Sequence, residues 1–406
     1  MRKSLLILLV FWASPALAQS VTGFEEWLAT FRADAARQGI SSATLDAAFT
    51  GKQPVMRVIE LDRRQPEFVQ GYTDYLSRRV TPRQVARGRA LLAEHAALLE
   101  AVTARTGVPA NVLVAFWGLE TNYGTTLGSF NIPIALATLA WEGRRSAFFR
   151  SQLIEALRIV EAGHVSASDM NGSWAGAMGH MQFMPSTFRG YAVDGDGDGR
   201  IDLWGSLPDA MHSAGNYLRA MRWRSGEPIA QRVNLPQDFD LRWARLTHRK
   251  TLAEWSALGV APTDEVAWPA GKLTAAVVLP QGWQGPAYLV FDNFDGVMRW
   301  NRSVNYALSV AELARQIAGG GPAPFAVDPA GGLSIAAIET MQHQLNALGY
   351  DTGVPDGLVG PRTQAALRRF QAEHALPADG YPSAAVTERV AARYAEYVGN
   401  VQSVTP

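Results

Sequence analysis

The sequence predicts a mainly α protein with a small β part and a small helical module near its C-terminal end. Three observations carry that prediction. Apolar residues recur at helical spacing from Phe24 to Val160. Leu273 to Leu279 and Tyr288 to Phe291 are short β-branched or apolar runs bounded by Gly and Pro, as strands are. Gly319-Gly320-Gly321-Pro322-Ala323-Pro324 is a linker by composition and sets the last segment apart.

The chain has 406 residues, which allows two or three domains. Met1 to Ala18 reads as a secretory signal. Arg2 and Lys3 are basic, Leu5 to Trp12 is apolar but too short to span a bilayer, and Ala16-Leu17-Ala18 offers a cleavage site near Ala18. A periplasmic location is therefore expected, with no membrane span elsewhere. The chain contains no cysteine, which excludes disulfides, thiolate metal sites, a Cys nucleophile and a lipid anchor on Cys. The formal net charge is zero, so nothing points to a nucleic-acid partner. The twelve tryptophans are a weak hint of sugar stacking, because most Trp residues are simply core.

Residues 24 to 105 are expected to be helical. Phe24, Trp27, Leu28 and Phe31 share one helical face, and Ser42 or Thr44 suits the cap of a segment starting near Leu45. Pro82 opens a segment from Arg83 to Ala104, striped by Val85, Leu91, Leu92, Leu98 and Leu99. Tyr75 lies just before it, where ordinary packing is the plainer expectation. Pro109 fits the first turn of the next helix, and Gly124 is a plausible stop. Within that helix Leu113, Phe116, Trp117 and Glu120 fall at i, i+3, i+4 and i+7. A carboxyl on a buried face responds by raising its pKa, as a general acid requires. The competing reading is a core Glu paired with Arg144 or Arg145.

Ser129 to Pro133 reads as a loop. The long helical run after it has Leu136, Leu139, Phe148, Leu153, Leu157 and Val160 as core. Asn171 to Phe188 is rich in Gly, Met and small polar residues. Such a stretch suits the wall of a cleft, since small residues let a ligand approach the backbone. Gln182 can hydrogen-bond in both directions.

The run Asp194-Gly195-Asp196-Gly197-Asp198-Gly199-Arg200-Ile201 matches the first half of a calcium loop. Position 12 is Gly205 rather than Glu, but Asp209 could close a lengthened loop. Asp194, Asp196, Asp198, Arg200 and Asp209 are the candidate metal residues, with structural Ca2+ as the expected ion and a metal-free Asp-Gly turn as the alternative. Past the linker, two Asp-Gly turns at Asp356 and Asp379 separate short amphipathic helices, which fits a binding or spacing module.

Three motifs now carry a resemblance: Gly118-Leu119-Glu120-Thr121-Asn122-Tyr123-Gly124, Gly176-Ala177-Met178-Gly179-His180-Met181-Gln182-Phe183-Met184-Pro185-Ser186, and Tyr191-Ala192-Val193-Asp194 with its acidic loop through Trp204. With them, residues 19–318 resemble the lytic murein transglycosylases of the B class, glycoside hydrolase family 103. Residues 333–395 resemble peptidoglycan-binding domain 1. The expected organisation is a signal at 1–18, a catalytic region at 19–318, a linker at 319–332, the binding module at 333–395 and a tail at 396–406. The resemblance implies a lysozyme-like helical core with an additional helical domain, and a three-helix C-terminal module.

It also implies non-hydrolytic cleavage of the β-1,4 bond between N-acetylmuramic acid and N-acetylglucosamine, ending in a 1,6-anhydro ring. Glu120 matches the family's acid/base, and Tyr75, Ser173, Gln182, Tyr217 and Asn301 match positions lining its glycan cleft. No cofactor is implied for the chemistry. The implied partners are peptidoglycan glycan strands, with cell-wall synthesis or remodelling proteins as further candidates. His180 and Met181 stand where an aromatic-Gly pair is commoner, and Trp300 where Tyr is commoner. Hydrolysing glycosidases use two carboxylates about 5–9 Å apart, and no convincing second acid accompanies Glu120.

Overall fold

The computed structural model describes residues 15–63, 71–263, 267–325 and 332–404. The first fourteen residues of the expected signal and residues 326–331 of the expected linker lie outside that set. The chain forms two compact units, one from residues 1–64 and 126–210, the other from 65–125 and 211–406.

The first unit begins with α1 (Pro15–Arg37), α2 (Ser42–Phe49) and α3 (Met56–Arg63). The cap of α2 is Ser41, one residue ahead of the expected Ser42, and its Oγ accepts from Thr44 N at 3.2 Å. The second unit then starts with α4 (Tyr72–Arg79), α5 (Pro82–Glu94), α6 (Ala96–Thr106) and α7 (Ala110–Thr121). The single segment expected after Pro82 is two helices, because the backbone at His95 leaves the helical region.

The first unit resumes with β1 (Phe130–Asn131), α8 (Ile132–Glu142), α9 (Ser146–Glu161), β2 (Asn171–Gly172) and α10 (Pro185–Tyr191). The expected loop at 129–133 therefore holds a strand, paired antiparallel with β2. The long run expected from Leu136 to Val160 breaks at Gly143, whose φ of 100° belongs to the left-handed region. Leu136, Leu139, Leu153 and Leu157 are fully buried between α8 and α9. Phe148, expected in the core, is exposed. Asp62 at the end of α3 pairs with both Arg144 and Arg145.

The helix α11 (Leu207–Ala220) spans the boundary between the units. The second unit continues with β3 (Ala230–Asn234), β4 (Arg249–Thr251), α12 (Leu252–Ala257), β5 (Ala261–Pro262), β6 (Thr274–Val278) and β7 (Ala287–Val290). These strands form an antiparallel sheet ordered β4-β6-β7-β3-β5. The two expected strands, β6 and β7, are its centre, where apolar runs are longest. The outer strands β4 and β5 have three and two residues and gave no readable alternation.

After the sheet come α13 (Asp292–Trp300) and α14 (Val304–Ile317), then the C-terminal module of α15 (Ile335–Ala347), α16 (Pro361–Glu373) and α17 (Ala384–Val404). The module closes on Ile338, Met341, Leu345, Leu367, Phe370 and Val390. The last helix runs on to Val404, through the expected tail. Among the described residues no helix is long and apolar enough to cross a membrane.

Candidate active site

The site begins with the way α7 is buried. Val112 to Leu119 are all buried, so α7 has no solvent face along that stretch. The one-face spacing that singled out Glu120 is real, but α7 is wrapped by α5, α6 and α14 rather than laid against a single neighbour. Pro109 stands at the cap rather than in the first turn, and the helix stops at Asn122, two residues before the expected Gly124. Asn122, Tyr123 and Gly124 all have positive φ, at 49°, 59° and 79°. Three successive left-handed residues cannot continue a right-handed helix.

Glu120 lies on the last turn and is half-buried. Two donors converge on its Oε1. Trp300 Nε1 donates at 2.9 Å and the Tyr306 hydroxyl at 2.5 Å. Trp300 is the last residue of α13, and Tyr306 lies on the first turn of α14, whose N-terminus Ser303 caps by accepting from Tyr306 N. Phe116, one turn before Glu120, packs on both donors, with ring centroids 4.5 Å from Trp300 and 6.3 Å from Tyr306. Arg79, held by a 3.0 Å bond to the Leu119 carbonyl, adds a positive charge nearby.

These groups act on the Glu120 proton in opposite directions. Burial pushes its pKa above the ordinary carboxylate value, and this is the largest effect. The hydrogen bonds from Tyr306 and Trp300 and the charge of Arg79 pull it back in part. The net direction is upward. The alternative of a core Glu paired with Arg144 or Arg145 does not hold, since both arginines pair with Asp62 in the other unit. No carboxylate is among the described groups that shift the Glu120 proton.

Of the other sequence-derived residues, three join Glu120 in the second unit. Tyr75 on α4 is close enough to Tyr306 to raise its pKa, and its ring lies 5.8 Å from the Arg79 guanidinium. Tyr217 is buried; its hydroxyl donates to the Arg299 carbonyl at 3.1 Å and its ring stands edge-on to Trp300 at 5.2 Å. Asn301 is exposed and directly follows Trp300.

Ser173 and Gln182 belong to the first unit. The Ser173 hydroxyl accepts from Ala177 N at 2.9 Å. Gln182 is held at φ 48°, and its Nε2 donates to the carbonyls of Gly179 and Leu127 at 3.0 and 3.2 Å. Its amide oxygen is thereby oriented. The glycines of this stretch serve packing first. A Cβ at Gly172 would stand 2.2 Å from the Ala177 carbonyl oxygen, and one at Gly179 2.3 Å from that of Leu203.

In the acidic loop, Asp194, Asp196 and Asp209 bring carboxylate oxygens within 4.8 Å of one another. Asp209 is buried and organises the turn, accepting from Gly195 N at 2.7 Å and Asp202 N at 2.6 Å. An oxygen-only donor set of this kind fits a hard divalent cation. Asp198 is not part of the group; its carboxylate accepts from Arg200 N at 2.7 Å, and the Arg200 guanidinium donates to the His164 carbonyl at 2.9 Å.

Sequence reasoning passed over Tyr306, Trp300 as a donor, and Arg79. No local pattern marks them, since Arg79 is bonded 40 positions away, at Leu119, and Trp300 and Tyr306 reach Glu120 from 180 and 186 positions away in the chain.

Residues 23–315 match the family described as "Transglycosylase SLT domain", and residues 334–389 the "Putative peptidoglycan binding domain". Membrane-bound lytic murein transglycosylase B of Escherichia coli is 32% identical over 257 residues, 60% of this chain and 66% of that protein's length. The chain thus spans just under two thirds of that relative. The crystal structure of SltB3 from Pseudomonas aeruginosa in complex with NAG-anhNAM-pentapeptide superposes with a TM-score of 0.87 at 45% identity, covering 90% of this chain and 99% of that one. The Escherichia coli lytic transglycosylase Slt35 in complex with calcium gives a TM-score of 0.62 at 27% identity, covering 73% and 93%.

Proposed function

The chain belongs to the transglycosylase SLT domain family of enzymes acting on peptidoglycan, and we propose that it cleaves the β-1,4 bond between N-acetylmuramic acid and N-acetylglucosamine without water, with Glu120 as its single acid and base. The observation that carries this reading is the environment of Glu120. Burial strengthens the hold of its carboxyl on a proton, and two neutral donors on Oε1 stand ready to stabilise the anion once the proton has left.

Glu120 first protonates the glycosidic oxygen as the C1–O bond breaks. The muramic N-acetyl oxygen stabilises C1. Trp300 and Tyr306 then hold the carboxylate. In the second half, the ionised Glu120 takes the proton from the muramic C6 hydroxyl as that oxygen bonds to C1, closing the 1,6-anhydro ring. The nucleophile belongs to the substrate, so its effective concentration is high without a bound water. The NAG-anhNAM ligand of the SltB3 structure has the chemistry of such a product. Tyr75, Ser173, Gln182 and Asn301 are the proposed glycan contacts, and Tyr217 acts through Trp300.

The proposed setting is the periplasm, after removal of the segment ending near Ala18. The chemistry needs no cofactor. The acidic loop is proposed to hold a structural calcium ion through Asp194, Asp196 and Asp209. The calcium complex of Slt35 supports that choice of ion.

Glu120→Gln tests the catalytic assignment. Binding of peptidoglycan should persist while turnover falls at least about 100-fold, the lower end of what acid–base catalysis contributes. Retained turnover would refute the role of Glu120.

A further inference from the structure

A cavity of about 700 Å³ lies within the second unit, walled by the β-sheet region, the α13–α14 turn and the C-terminal module. Three guanidinium groups line it: Arg245 ahead of β4, Arg302 in the α13–α14 turn, and Arg368 on α16. Arg245 and Arg302 are exposed, and among the described residues neither side chain has a carboxylate partner. Arg368 is half-buried. Its Nη2 donates to the Ala244 carbonyl at 3.1 Å, while its Nε is buried with no acceptor. Burial first, and repulsion from Arg245 second, hold its pKa below the ordinary guanidinium value.

The cavity wall contains a single carboxylate, Asp379, and its oxygens are spent. Oδ1 accepts from Gln371 Nε2 at 2.7 Å and Tyr381 N at 2.8 Å, and Oδ2 from Trp283 N at 2.9 Å. The rest of the lining includes aliphatic groups such as Val278, Leu333 and Val359. Three guanidinium groups against one carboxylate leave an excess of positive charge, and beside small apolar surface this suits a ligand with free carboxylates and short aliphatic side chains. The peptide stems of peptidoglycan have that chemistry. The turn that presents Arg302 joins Trp300, at the end of α13, to the start of α14, where Tyr306 lies; these are the donors to Glu120.

We propose that this cavity receives the carboxylate-bearing peptide stem of the peptidoglycan substrate, with Arg245, Arg302 and Arg368 as its anion contacts. The identity of the ligand rests on the transglycosylase reading above.

The test titrates a soluble stem pentapeptide into full-length protein carrying Glu120→Gln, by calorimetry. Binding is expected, and it should weaken about tenfold, equivalent to about 1.4 kcal/mol, when Arg245→Ala and Arg302→Ala are added together. Amidating the peptide carboxylates should weaken it comparably. Val359→Trp, which fills the cavity and removes no charge, should weaken it as well, and thermal melts establish that each variant is folded. No binding, binding indifferent to the arginines and to amidation, or equal displacement by inorganic phosphate would overturn the proposal. Cleavage of peptidoglycan by the unsubstituted protein is measured alongside. Cleavage without arginine-dependent peptide binding removes the cavity proposal alone, whereas absence of cleavage removes the catalytic reading.

Discussion

Trp300 and Tyr306 deliver their donors to the same oxygen of Glu120, from the end of one helix and the start of the next. In the proposed mechanism the other oxygen exchanges the proton with substrate. A general acid needs its proton held at neutral pH and its conjugate base stabilised at the moment of transfer. In the proposed mechanism burial favours the protonated form and the paired donors favour the conjugate base.

Tyr306→Phe should therefore change both rate and pH profile. The Tyr306 hydroxyl is the strongest influence holding the Glu120 pKa down, so its loss lets that pKa rise further. The alkaline limb of kcat, where the acid loses its proton, should move to higher pH. At the optimum kcat should fall about tenfold, the order expected for one charge-assisted hydrogen bond. A pH–rate profile with an unmoved alkaline limb would contradict the arrangement.

The raised pKa of Glu120 has a stability consequence of definite sign. A carboxyl whose folded pKa lies above its unfolded value of about 4.3 favours folding fully below that value. The contribution is lost as pH rises through the folded pKa. Glu120→Gln does not ionise. The melting temperature of that variant, relative to the parent, should climb from pH 4 toward pH 8, as read by calorimetry across that range on both proteins. A difference independent of pH would count against the raised pKa.

Much of this was legible in the sequence, but unevenly. Glu120 was found because its helix is apolar and its neighbours Phe116 and Trp117 fall on its side. The centre of the sheet was found through the apolar runs of β6 and β7, whereas β4 and β5 are too short to alternate. The breaks at His95 and Gly143 were missed because the apolar stripe continues across them. The glycines from Gly172 to Gly179 suggest room for a ligand, but their tight approaches are to protein: Gly172 to the Ala177 carbonyl, Gly176 to the Leu136 side chain and Gly179 to the Leu203 backbone. Tyr306 and Arg79 are visible only once α4, α7 and α14 pack together.

The buried pair of Arg232 and Glu312 ties α14 to the sheet. Arg232 Nε lies 3.3 Å from Glu312 Oε1, which also accepts from the Tyr288 hydroxyl at 3.1 Å. Both charged groups are under 10% exposed, at 8% and 2%. Arg315 also holds this carboxylate, through Oε2 at 2.9 Å, so Arg232→Met removes one of two cationic partners and should destabilise the protein by about 2 kcal/mol. Chemical denaturation measures this, and adding Glu312→Gln should restore part of the loss.

Calcium should raise the melting temperature of the parent protein. At 100 times the dissociation constant the stabilisation is about 2.7 kcal/mol. Asp196→Ala, which removes one of the three converging carboxylates, should abolish the rise. A chelator-treated sample that shows no shift when calcium is returned would refute the proposed ion.

The most direct test of the central claim is mass spectrometry of the muropeptides released when the protein acts on purified peptidoglycan. Products ending in 1,6-anhydro-muramic acid, lighter by one water than the corresponding reducing ends, are the expected result. Reducing ends would mean that water is the nucleophile and that Glu120 does not act alone.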